Sequence, residues 1–163
     1  MLHTNYRMGM RAFKTVLAIF ICLGVAQLLG RRDSGFYACI ASIICMQKDN
    51  RQTLRQGFSR MVGTLIGAAA GCGALVLVFA LPSSLGQLAV IPLLAAVVIY
   101  ICNLLGREDS TAIGCIVLLS VALNHGDTLG QAIHFGFLRA TDTLWGILVA
   151  ICVNRWVAPP KEK

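Results

Sequence analysis

The feature of this sequence that most restricts its fold is a series of long apolar runs separated by short polar segments. Four runs have close to the roughly 20 residues that a helix needs to cross a hydrocarbon core of about 30 Å; they cover 12–29, 61–81, 88–105 and 137–157. Two shorter runs cover 34–46 and 110–124. Because lipid offers the backbone no hydrogen bonds, we predict that these segments are helices.

The composition excludes an ordinary soluble domain. Of the 163 residues, 57% are hydrophobic and 13% are charged, whereas soluble domains are about 45–50% apolar and about 25% charged. The net charge of +7 is typical of cytoplasmic loops in a membrane protein, and no basic stripe with interleaved aromatic residues points to nucleic acid. We therefore predict an all-α membrane protein whose surroundings are a lipid bilayer and which has no nucleic-acid partner.

The distribution of Lys and Arg predicts how the segments cross the membrane. With six crossings and a cytoplasmic N-terminus, only Arg31, Arg32 and Arg139 of the 14 basic residues lie outside. If the two short runs were re-entrant, the basic residues between 48 and 60 would face outside, against the positive-inside rule. The prediction is one domain, 1–163, with six transmembrane helices and both termini cytoplasmic, located in the cell (inner) membrane.

A repeat divides the chain into two halves. Residues 28–40 (LLGRRDSGFYACI) match residues 104–116 (LLGREDSTAIGCI) at eight of thirteen positions, and 60–67 (RMVGTLIG) align with 139–146 (RATDTLWG). Each half, about 10–81 and about 86–157, contains three predicted spans, and an odd number inserts the second half upside down. Inverted three-span repeats are an architecture of transporters.

The repeat places one Arg and one Asp on each predicted membrane face. Arg60 and Asp109 lie inside, and Arg139 and Asp33 lie outside. One interpretation is structural, with each Arg paired to the Asp on its face so that short helices are tied to long ones. The other is functional, with the two arginines forming cationic vestibules that attract anions from either side. Both interpretations hold if the pairs open when substrate arrives.

Four further residues belong to the predicted anion path. Ser34 and Ser110 directly follow the two aspartates, and Tyr37 lies at the start of a short span. Tyr37 either stacks on an aromatic substrate or belongs to the interfacial aromatic belt, which the sequence favours. Asp142 lies one turn after Arg139, where an ion pair along the helix is favoured over a proton relay.

Glycines spaced four apart indicate a helix-packing face. Gly63, Gly67 and Gly71 form a small-xxx-small pattern, and Gly146 aligns with Gly67 in the second half. Without side chains, two helices approach closely at such a face, and the partner helix belongs either to this chain or to a second subunit. The seven cysteines lie within apolar stretches without a C-x-x-C pair; we interpret them as packing residues and predict no metal site and no cofactor.

Two strings carry a resemblance to a known family: SGFYACIASIICMQ at 34–47 and TLRQGFSRMVGTLIGA at 53–68. They resemble the fusaric-acid-resistance-like superfamily, and within it the aromatic acid exporter family. The marker R-x-x-G-T-x-x-G is met by Arg60, Gly63, Thr64 and Gly67, whereas the second copy has Asp142 in place of a glycine. The resemblance implies an oligomeric efflux protein of the cell membrane for aromatic or other organic carboxylates, and many members carry a further soluble cytoplasmic domain.

The expected function is therefore export of small organic anions by a homo-oligomeric transporter (a dimer or higher). The sequence contains no P-loop, no G-x-S-x-G and no H-E-x-x-H motif, and we expect no enzyme activity. Two alternatives stay open: an anion channel, and a non-transporting membrane scaffold or envelope subunit that binds partners through the glycine face. A cation or proton pathway through Asp33, Asp109 and Asp142 is less favoured, because basic residues predominate near the spans.

Overall fold

A computed structural model describes residues 10–30, 32–81, 84–124 and 128–157, without the side chains of 32–34, 84–87 and 124. The described residues form six α-helices and no strand. In chain order the helices are α1 (Met10–Leu28), α2 (Arg32–Cys45), α3 (Asn50–Ala80), α4 (Ser84–Leu104), α5 (Glu108–Asn124) and α6 (Leu129–Trp156). The predicted all-α class is confirmed.

The helices present an apolar surface. Among the described residues, α1, α3 and α6 are long and apolar enough to cross a membrane, and Gly35–Cys45 and Leu88–Leu104 are shorter apolar helices. Large side chains such as Phe20 and Leu93 are 74% and 66% exposed. So much exposed apolar surface is unfavourable in water, and these helices are therefore suited to a lipid environment.

The two long helices begin earlier than hydropathy predicts. We expected spans from 61 and 137, but α3 begins at Asn50 and α6 at Leu129, about three and two turns earlier. Hydropathy identifies only the apolar part of a helix, whereas α3 continues through exposed Arg51 and Arg55. With 31 and 28 residues, α3 and α6 are about 46 and 42 Å long and exceed the hydrocarbon core.

The α1–α2 and α4–α5 corners are built in the same way. The first helix of each pair is followed by a left-handed glycine, Gly30 (φ 66°) or Gly106 (φ 63°). The N–H of Gly30 donates to the carbonyl of Gln27 at 3.1 Å, and the N–H of Gly106 donates to the carbonyl of Asn103 at 2.9 Å. Such a glycine closes a helix C-terminus and redirects the chain, so that α1 packs on α2 and α4 packs on α5.

The described chain divides into two compact units. The first unit is composed of α1, α2, the start of α3 up to Gly57 and the part of α6 from Leu144. The second unit is composed of α3 from Phe58, α4, α5 and α6 up to Thr143. The units therefore differ from the predicted repeats, because each combines a helical hairpin from one repeat with part of the long helix of the other.

In the first unit, the buried residues of α1 are spaced four apart. They are Lys14, Ala18, Cys22 and Ala26. This spacing makes one narrow stripe on a helix, and the small side chains allow close contact: a Cβ added to Gly35 of α2 would lie 2.8 Å from the Cβ of Ala26. The α1–α2 hairpin is therefore tightly packed.

In the second unit, α3 and α5 run in the same direction. A Cβ added to Gly63 would lie 2.5 Å from the carbonyl oxygen of Ser110, and one added to Gly71 would lie 2.6 Å from the Cβ of Val121. Later residues of α3 thus contact later residues of α5. The glycines allow the two backbones to approach closely.

Also in the second unit, α3 and α6 run in opposite directions. A Cβ added to Gly136 of α6 would lie 3.2 Å from the Cβ of Ala68. Further along α3, Leu75 shares a buried cluster with Ala132, which precedes Gly136. Later residues of α3 thus meet earlier residues of α6.

Candidate functional site

Two buried arginines are the principal candidates for a functional site. Arg60 and Arg139 both belong to the second unit, and each lies about three turns inside its helix. Their side chains are only 8% and 7% exposed. Burial of a permanent charge in a membrane-spanning segment is costly and usually marks a functional or paired group, so both positions require specific surroundings.

The surroundings of Arg139 come from α5 and from its own helix. Its Nη2 donates a hydrogen bond to Ser120 Oγ at 2.9 Å, and its guanidinium carbon lies 5.6 Å from the centre of the Phe135 ring. The neutral hydroxyl and the π face both stabilise the buried guanidinium.

Arg60 lies beside a buried hydroxyl on the next turn of α3. Thr64 is 1% exposed, and its Oγ1 donates to the carbonyl oxygen of Arg60 at 2.9 Å. Threonine in a helix commonly bonds the carbonyl four residues earlier. The Arg and Thr of the R-x-x-G-T motif thus form one local buried arrangement.

The two arginines lie at neighbouring levels of the second unit. Arg139 is one turn beyond Gly136, and Gly136 is level with Ala68 of the oppositely directed α3. Measured along the helix axis, Arg139 therefore lies within about two helical turns, or roughly 10 Å, of Arg60. The packing of α6 along α3 brings the two arginines to one stretch of the second unit, and the hypothesis that they guard opposite mouths of a passage stays a prediction.

The start of α5 adds a hydroxyl to the second unit. Ser110 is fully buried, and its Oγ has no hydrogen-bond partner among the described residues. Asp109, one residue earlier, is exposed. The ion pair predicted between Arg60 and Asp109 stays a prediction.

The remaining predicted site residues lie in different environments. Asp142 is 8% exposed and lies one turn from Arg139 on α6. Tyr37 is half-buried in the first unit, and its ring makes an edge contact with Phe36 at 5.4 Å between centroids. The side chains of Asp33 and Ser34 fall outside the described residues, so the ion pair predicted between Arg139 and Asp33 also stays a prediction.

The glycine face of α3 packs within this chain. A Cβ on Gly67 would collide with the carbonyl oxygen of Gly114 in α5, and a Cβ on Gly146 of α6 would collide with the carbonyl oxygen of Ala38 in α2. The sequence left open whether the partner helix belongs to this chain or to a second subunit, and these contacts place it in this chain. They also leave the glycine face unable to act as the scaffold surface of the alternative hypothesis.

A second polar cluster lies in the first unit and was not identified from the sequence. The Nζ of Lys14 donates to Asn154 Oδ1 at 2.9 Å, and Asn154 Nδ2 donates to Thr53 Oγ1 at 3.0 Å. The N–H of Gln47 also donates to Thr53 Oγ1, at 3.3 Å. The signal in the sequence that Lys14 points inward is the stripe that it forms with Ala18, Cys22 and Ala26 at a spacing of four residues.

Six helices with a lipid-compatible surface and buried arginines define a helical membrane protein. Residues 17–153 match the family described as fusaric acid resistance protein-like, and the chain belongs to this family. The resemblance to the fusaric-acid-resistance-like superfamily seen in the sequence is thereby confirmed.

The curated relatives that the chain matches are longer proteins. A UPF0421 protein of Staphylococcus epidermidis is 30% identical over 94% of this chain and 44% of its own length. The UPF0421 protein YgaE of Bacillus subtilis is 27% identical over 95% of this chain and 41% of its own length. The chain thus spans less than half the length of these relatives. No solved structure matches it.

Proposed function

We propose that this protein is a multi-pass transporter of the cell membrane that exports aromatic or other organic carboxylates. The observation that carries the proposal is the pair of nine-tenths-buried arginines, Arg60 and Arg139, at neighbouring levels of the second unit. A guanidinium presents two parallel N–H donors that match the two oxygens of a carboxylate. The arginines would bind the carboxylate as it passes, and apolar surroundings would accept the rest of the molecule.

The balance of buried charge supports an anionic substrate. Among the described residues the buried cations are Lys14, Arg60 and Arg139, and Asp142 is the one buried carboxylate. A low-dielectric interior with excess positive charge attracts anions and repels cations. This imbalance favours a carboxylate path over the cation or proton pathway.

The proposal includes six crossings, two inverted repeats and cytoplasmic termini. Inverted repeats predict that a contact in one unit has an equivalent in the other. Gly57 contacts Ile147 in the first unit, and Gly136 contacts Ala68 in the second. The sequence alignment pairs Gly57 with Gly136 and Ala68 with Ile147. In a chain that crosses the membrane six times, the third and fifth helices run in one direction and the sixth runs in the other. The directions of α3, α5 and α6 agree with this.

The substrate class and the assembly are part of the proposal. The family description refers to fusaric acid resistance, which agrees with export of an organic acid, and fusaric acid contains an aromatic ring and a carboxylate. The matched relatives carry the family name UPF0421 and are more than twice as long as the matched region. We propose that this module acts as a homo-oligomer.

The proposal is tested with purified protein in liposomes loaded with 4-hydroxybenzoate. We expect efflux of this anion well above that of protein-free liposomes, no flux of a cationic aromatic amine, and slower flux of chloride. Equal flux of chloride and 4-hydroxybenzoate would favour the channel alternative. Absence of any anion flux from folded protein, in either membrane orientation and with a pH gradient of either sign, would contradict transport and favour a structural role.

A further inference from the structure

The buried polar cluster of Lys14, Asn154 and Thr53 has apolar residues at the aligned positions of the second unit. The register of 60–67 against 139–146, when it is continued along α3 and α6, aligns Thr53 with Ala132 and Asn154 with Leu75; the register of 28–40 against 104–116 aligns Lys14 with Val90. At the three aligned positions the second unit has buried apolar residues: Val90, Leu75 and Ala132, which are 6%, 4% and 0% exposed. Apolar side chains in place of buried charged or polar groups are often neutral or stabilising. The polar cluster of the first unit therefore requires a reason other than packing.

The cluster contains a positive charge that its neighbours do not neutralise. Lys14 is 5% exposed, so its amine does not extend to the surface as lysines near membranes usually do. Its acceptor is the neutral amide oxygen of Asn154, and no carboxylate among the described residues pairs with it. A buried ammonium in this setting is unfavourable, and an anion bound beside it would reverse that penalty.

The surface around the cluster concentrates anions. The cluster lies where α1 and α3 begin and α6 ends, at the end predicted to be cytoplasmic. Exposed basic side chains surround this end of the first unit: Arg11, Lys48, Arg51, Arg55 and Arg155. Asp49 is the one acidic side chain described in this unit. A surface of one sign raises the local concentration of the opposite ion.

We propose that Lys14, Asn154 and Thr53 form a binding site for the carboxylate of a small organic anion at the cytoplasmic end of the first unit. The ammonium of Lys14 supplies the charge. The amide N–H of Asn154, which now donates to Thr53 Oγ1 at 3.0 Å, would turn to the carboxylate together with the Thr53 hydroxyl. The choice of a carboxylate rests on the proposed function, and the site would be the place where the exported anion first binds.

Binding of 4-hydroxybenzoate to the protein in nanodiscs tests this site. We expect Lys14→Met to raise the Kd about tenfold or more, as loss of a charge-assisted contact implies, and Lys14→Arg to retain most of the affinity. The triple variant Lys14→Val, Asn154→Leu, Thr53→Ala copies the apolar arrangement of the second unit; it should fold and fail to bind. The control Arg107→Gln removes a basic charge that belongs to the second unit, and to neither the cluster nor its basic surface, and should change the Kd by less than about threefold.

The outcomes separate this inference from the proposed function. If wild-type protein transports 4-hydroxybenzoate and Lys14→Met binds and transports it unchanged, the site is wrong and the transport proposal stands. If wild-type protein binds the anion through Lys14 without any flux, the site stands and transport fails. An effect of Lys14→Met that occurs only with phosphatidylglycerol in the nanodisc would assign Lys14 to a lipid phosphate and overturn the inference.

Discussion

Replacing Gly67 by alanine should push α3 and α5 apart. The added Cβ would lie 3.0 Å from both the Cα and the carbonyl carbon of Gly114, and closer to its oxygen. Carbon atoms pack best at about 3.5–4.0 Å, so the backbones must separate by about 0.5 Å or more, and a gap of this size forfeits roughly a quarter of the attraction between neighbouring atoms. Overpacking of this kind typically costs about 1–3 kcal/mol.

Gly73→Ala is the matched control, because it lies on the same helix and its Cβ would meet nothing within 4 Å. Both substitutions share the gain in helix propensity of about 1 kcal/mol, so the difference between them reports the collision alone. We expect Gly67→Ala to melt about 2–12 °C below Gly73→Ala. Thermal unfolding in detergent, followed by tryptophan fluorescence, measures this difference. Equal melting temperatures for the two variants would refute the close approach of α3 and α5.

Three further predictions test other parts of the structure. Gly146→Ala is expected to lower the melting temperature as much as Gly67→Ala, because its Cβ would collide with the backbone of α2 in the equivalent way; a neutral effect would contradict the repeat. Gly106→Ala should cost about 1 kcal/mol because φ is 63°, whereas Gly130→Ala, with nothing within 4 Å, should cost nothing. Ser120→Ala removes the acceptor at 2.9 Å from Arg139 and should cost about 1.5–3 kcal/mol, with Ser120→Thr restoring stability; no loss on Ser120→Ala would show that this hydrogen bond is unimportant.

The sequence predicted the helical class because it depends on local signals. Hydropathy identified six segments, and the L-L-G-R motif, which the sequence showed only as part of a repeat, lies at two corners that both contain a left-handed glycine, Gly30 and Gly106. The start of α3 was missed because its first turns are polar, and the start of α6 was missed because Gly130, Gln131 and His134 interrupt its apolar residues. A helix can extend beyond the hydrocarbon core of the membrane, where its residues need not be apolar, and hydropathy does not detect such turns.

The arrangement of the buried polar residues depended on packing that the sequence does not contain. Arg60 and Arg139 were identified from the repeat, but their neighbouring levels follow from the register of α6 against α3. Lys14 was missed because a single lysine near the start of a span normally extends to the membrane surface. Its inward direction depends on Asn154, which lies 140 residues away in the chain.

Efflux of 4-hydroxybenzoate from liposomes with arginine variants tests the central claim, that Arg60 and Arg139 serve a carboxylate path, most directly. Arg60→Gln and Arg139→Gln are compared with Arg155→Gln, which removes an exposed charge, and only variants that are monodisperse and melt cooperatively are used. We predict that the efflux rate falls at least about tenfold in each buried variant, as expected when a charged contact to substrate is removed, and falls less than about threefold in Arg155→Gln, which removes one of several exposed basic charges. Wild-type efflux rates in both buried variants would contradict the claim.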